Sequence, residues 1–96
     1  MTLRDALAEA EAHLESRPSA GALAARAWHA RRAILLHEIA DRPPARLSGR
    51  LALAAFAIRL AMDGTPLDSP ALRVAMAALA GLDAELDRLD LALVVA

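Results

Sequence analysis

The chain has 96 residues, a mass of 10.1 kDa and a net charge of −1, which is enough for one small domain and too little for a second. Of its 57% apolar content nearly half is Ala, 26 residues, so 29 Leu, Ile, Val, Met, Phe and Trp side chains are left to build a core. Cysteine is absent, which excludes disulfides and thiolate metal sites, and no uncharged run approaches the roughly 20 residues of a membrane span.

Lys, Asn, Gln and Tyr are also missing, and all 11 basic residues are Arg, the bias of a GC-rich bacterial coding sequence. Arg4, Asp5 and Glu9 interrupt the start of the chain, unlike a secretion signal, so a cytoplasmic location is expected. Charge is unevenly spread. Residues 1–16 set Arg4 against four acids, a net −3, residues 17–62 set eight Arg against Glu38 and Asp41, a net +6, and residues 63–96 set Arg73 and Arg88 against six acids, a net −4.

A first helix is predicted over about 3–16, capped by Thr2, with Leu3, Leu7, Ala10 and Leu14 on one face. Ser19 is placed to cap a second helix over 20–41, which must end where Arg42 precedes Pro43 and Pro44. Two apolar stripes run along it, one of Leu23, Ala27, Ala30 and Ile34 and one of Ala24, Trp28, Leu35 and Ile39.

The third helix, over 45–63, should close at Gly64 with Pro66 beyond as a stop. It too has two stripes, with Leu47, Leu51, Ala54, Ile58 and Met62 nearly opposite Gly49, Leu53, Phe56 and Leu60. A helix apolar on two sides is either central to its own bundle or shared with a neighbouring subunit. The expected interface between copies is Leu53, Phe56 and Leu60 of this helix with Trp28, Leu35 and Ile39 of the second.

Ser69 followed by Pro70 reads as a cap and first position for a fourth helix over 70–94. Leu72, Leu79, Leu86 and Leu93, with Ala75, Leu82, Leu89 and Ala96, form an a/d heptad seam. Gly81 either lies outside this seam or breaks the helix in two, giving a fifth. In a parallel pair of identical helices Glu85 would face Asp90, so an Arg-bearing partner is preferred. The fold class predicted is all-α, an elongated antiparallel helical hairpin bundle of four or five helices.

No catalytic constellation emerges. His13, His29 and His37 include no pair at helical i, i+3 or i, i+4 spacing, so no metal site is expected, and Gly21, Gly49, Gly64 and Gly81 are singletons rather than a phosphate loop. No cofactor is expected. His37-Glu38-Ile39 is similar to the phosphoacceptor segment of histidine kinases, but the Pro is displaced and the nucleotide-binding boxes are missing, which leaves at most a phosphotransfer hairpin. The competing reading is a surface histidine beside a helix-end carboxylate.

The basic middle has two readings. Arg31, Arg32, Arg42, Arg46 and Arg50 lie on two helices joined at Pro43 and Pro44, with Arg42 and Arg46 at the tip and Arg50 one turn on, and their guanidinium groups either contact nucleic-acid phosphates or pair with the acidic flanks. The apolar tail, with Leu91, Leu93, Val94 and Val95, packs on the bundle or docks a protein partner.

The two-seamed, Arg-bearing pair of helices over 20–41 and 45–63, followed by the tail at 91–96, resembles the small terminase subunits of tailed phages and gene transfer agents. That resemblance covers about half the chain by patterning alone. It implies hairpins stacked into rings that present DNA to a large packaging subunit. Many such subunits begin with a helix-turn-helix domain, whereas residues 1–16 supply one short acidic helix, so any DNA contact falls to the Arg residues. The function expected is a non-enzymatic, homo-oligomerising adaptor, with a DNA-packaging subunit as the alternative and phosphotransfer through His37 as a remote third.

Overall fold

Four helices form in the computed structural model, which describes residues 2–64 and 67–95, the last four of these as backbone only. Helix α1, Leu3–Glu15, opens with a reciprocal cap in which the Thr2 hydroxyl accepts from the Asp5 amide (3.2 Å) and the Asp5 carboxylate accepts from the Thr2 amide (3.0 Å). These two bonds hold the Asp5 carboxyl below its ordinary range.

Helix α2, Ala22–Ala40, starts two residues later than expected. Its cap position is Gly21 at φ 96°, and not Ser19, because the chain must turn sharply after Pro18 and only glycine takes this conformation without strain. Helix α3 spans Leu47–Met62 and is followed by Asp63 and by Gly64 at φ 84°, the expected glycine terminator; Pro66 lies outside the described residues.

Helix α4, Ser69–Val95, is a single 27-residue rod of about 40 Å that runs through Gly81 without a break. Asp68, rather than Ser69, caps it, accepting from the Ala71 amide at 3.2 Å. The fifth helix is therefore absent among the described residues.

The helices occupy the corners of a four-sided bundle. Helix α1 packs on α2 and α3, and α4 packs on the same two. Backbones of α2 and α3 nowhere approach within 8 Å, so they stand diagonally across the bundle and are not the side-by-side hairpin that the sequence suggested. The loop at Pro43 and Pro44 crosses the end of the bundle, where Gly49 packs its bare Cα against Pro44.

The all-α class stands, and the molecule is elongated, at 59 × 26 × 17 Å with a radius of gyration of 15.4 Å against about 12.5 Å for a compact chain of this length. The core holds Ala6, Leu7 and Ala10 of α1, Leu35, Leu36 and Ile39 of α2, Leu53, Phe56 and Leu60 of α3, and Ala71, Val74 and Ala78 of α4. Small residues on α1 and α4 let the helices approach closely around Phe56, the largest side chain of the fully buried set.

Candidate interaction surface

All six residues expected at an interface between copies lie inside the chain's own core. Leu53, Phe56, Leu60, Leu35 and Ile39 are no more than 2% exposed, and Trp28 is 6% exposed. The assignment of that face to another subunit is corrected: the stripe that carries the aromatic residue, Trp28 in α2 and Phe56 in α3, turns inward against the chain's own helices. Trp28 instead clasps α1 to α2. Its indole N–H donates to the His13 carbonyl (2.8 Å), the His13 ring stacks on it at 5.1 Å, and His13 Nε2 donates to the Trp28 carbonyl (2.8 Å).

The arginines are also drawn inward or to neighbouring acids. Arg32 is 3% exposed and grips Asp68 with two hydrogen bonds of 2.8 and 3.1 Å, fastening the capped start of α4 to α2. Burial works against the ionised Asp68 carboxylate, but the bonds from Arg32 and from the Ala71 amide outweigh it and keep its pKa below the ordinary value.

Arg50 donates to the Pro44 carbonyl (3.2 Å) and to Glu85 (2.7 Å), and Arg88 closes on the other Glu85 oxygen (2.5 Å). The hydrogen bond from Arg50 lowers the Glu85 pKa, against the opposing effect of burial and with help from Arg88. Arg31 pairs with Glu9 (2.5 Å), Arg59 with Glu11 (2.6 Å), and Arg73 with Asp41 (2.5 Å). Of the five arginines expected near phosphates, Arg31, Arg32 and Arg50 are thus bound to carboxylates of their own chain, while Arg42 and Arg46 stay exposed at the loop. Those two, with Arg4, rim a groove of about 820 Å³ between α1 and the start of α3.

His37 is half-buried and its Nδ1 faces the Arg73 guanidinium at 2.6 Å. Among the described residues no group of three His, Asp or Glu side chains is placed to hold a metal, and no helix is long and apolar enough to cross a membrane.

What remains uncovered is one side of the bundle. Among the described residues, eleven of the thirteen large apolar side chains that are exposed belong to α3, to Leu67 just before α4, or to α4, and the other two, Leu23 and Ile34, lie on α2. On α3 they are Leu47, Leu51, Ile58 and Met62, the stripe without an aromatic residue, up to 79% exposed. On α4 they include Leu72, Leu79, Leu86 and Leu89, which are seam positions of the heptad pattern. Ala75 and Leu82 of the same seam are half-buried, and its last members, the Leu93 side chain and Ala96, lie outside the described residues.

Two ion pairs show which way these stripes point. Arg59 reaches across to Glu11, placing α1 on one flank of α3, and Arg73 reaches Asp41, placing α2 on the far flank of α4. At 100° per residue, both exposed stripes then turn to the side of the α3–α4 layer that faces away from α1 and α2. Leu91 is exposed too, but on the side of α4 opposite the seam, and the side chains of Leu93, Val94 and Val95 lie outside the described residues.

Sequence patterning found both stripes of α3 but sent the wrong one outward. Gly49 carried the missing signal: a glycine among Leu53, Phe56 and Leu60 marks the stripe that something approaches closely, and Pro44 and Leu3 occupy that space. No family model, curated protein or solved structure matches the chain.

Proposed function

We propose that the chain is a non-enzymatic assembly protein whose working surface is the outer side of the α3–α4 layer. The observation that carries this reading is the concentration of Leu, Ile and Met on that side, 46–79% exposed from Leu47 to Leu89. An apolar surface of this extent is costly in water and marks a site where another protein surface docks. Its outward seam is spaced at the 3.5-residue period of helix-on-helix packing, which favours a helical partner.

The DNA-packaging alternative loses Arg31, Arg32 and Arg50 to carboxylates of their own chain, so assembly is the preferred reading. Light scattering on the purified protein tests it. Mass across the micromolar range should exceed the 10.1 kDa of one chain, and Leu51→Glu with Ile58→Glu should reduce it while leaving the helical circular dichroism intact. A single-chain mass throughout that range overturns self-assembly.

A further inference from the structure

Building on that reading, we infer that the partner is a second copy of this chain, seated antiparallel so that a two-fold axis pairs α4 with α4. The α4 seam fixes the register. With the axis between Ala80 and Gly81, Leu72 meets Leu89 of the other copy, Ala75 meets Leu86, and Leu79 meets Leu82, giving six layers by symmetry. Leu opposite Ala at Ala75 lets the two helices approach closely.

Charge disfavours two of the alternatives, and a slip of one heptad towards the N-terminus would keep only four of the six layers. A slip of one heptad towards the C-terminus would set Asp83 beside its own symmetry mate, and a parallel in-register pair would bring the Glu85 edge against Asp90. In the chosen register Asp83 lies beside Met76, and Asp90 lies near the start of the other α4, where the amide ends of a helix favour an anion.

The same axis meets α3 near its start. Arg50 of α3 packs beside Gly81 and pairs with Glu85, so the point between Ala80 and Gly81 falls level with the first turns of Leu47–Met62. Rotation about it brings Leu47 and Leu51 towards the same turns of the other copy, while Ile58 and Met62 extend beyond them. The α4 seam, which carries its own centre, supplies the self-complementary face that a two-fold dimer requires.

Surface area agrees. The chain exposes 6405 Å², whereas a compact monomer of its mass exposes about 5300 Å². The excess, about 1100 Å², is at least the roughly 800 Å² per partner that a stable interface covers.

Because the chain has no cysteine, introduced thiols report the geometry without interference. The double variant Ala75→Cys, Leu86→Cys should form a covalent dimer on oxidation or with a short bismaleimide. Each single variant should not, since its two thiols would sit about 16 Å apart along the axis. In parallel, Leu79→Glu should halve the mass seen by light scattering and leave the circular dichroism unchanged, as Leu79 is 60% exposed in the single chain. Cross-linking of the single variants, or a dimeric mass with no cross-link in the double variant, overturns this geometry while leaving assembly itself standing. A wild-type mass of one chain overturns both.

Discussion

Glu85 is a carboxylate pulled out of water by its neighbours and kept charged by two guanidinium groups, Arg50 from α3 and Arg88 from the next turn of its own helix. Asp68 is held in the same way by Arg32. Both carboxyls titrate below their ordinary values, 4.5 for Glu85 and 3.8 for Asp68. A depressed folded-state pKa stabilises the fold above the unfolded value and loses that contribution as pH falls through the folded one. The urea midpoint should therefore show no loss from these two groups between pH 7 and about pH 5, and should drop as pH is lowered through 4 and below. Glu85→Gln, which cannot titrate, should start from a lower midpoint at pH 7 and show a shallower acid drop. An equal acid slope in both proteins would assign the loss to other carboxyls. These pairings were legible only in outline: the acidic, basic, acidic order of the chain shows that arginines have acids to meet, but not that Arg32 would be buried.

At the level of helices, the sequence shows where the elements lie more clearly than which way they face. Thr2, Gly64 and the Pro43-Pro44 break are local signals and land where expected, because caps and prolines act on their own few residues. The caps of α2 and α4 shift to Gly21 and Asp68, since tertiary demands, a sharp turn and the Arg32 anchor, override the nearby serines. Facing failed for α3 because both of its stripes are apolar, and only a packed neighbour distinguishes them. Gly81 illustrates how such a neighbour acts. In an isolated helix Gly81→Ala should gain about 1 kcal/mol. Here the new Cβ would sit 3.2 Å from Cγ of Arg50, a side chain pinned at both Pro44 and Glu85. Chemical denaturation should show that gain missing in the wild-type background and recovered when Arg50→Ala removes the obstacle. An undiminished gain with Arg50 present would mean that Arg50 yields freely.

For the whole molecule, exposed apolar area and shape lead to the same expectation. A dimer that buries the α3–α4 side is favoured over unfolded chains by mass action, so its thermal midpoint should rise with protein concentration, and that of Leu79→Glu should not. Equal midpoints for the wild type over a hundredfold dilution would show that each chain unfolds alone. Elongation was legible in the sequence from the lengths of the helices, whereas the diagonal placement of α2 and α3 was not, because adjacent helices joined by a short loop pair directly in most bundles. That placement governs the order of events as the chain acquires its structure. The first 62 residues cannot close a core by zipping up successive hairpins, since α2 and α3 are out of reach of one another and α1 spans them on one side only. Closure waits for Ala71, Val74 and Ala78 on the first turns of the last helix, which complete the box around Phe56. A ribosome-bound chain lacking that helix would therefore hold three helices and no finished interior, and the commitment to fold comes late and at a single step.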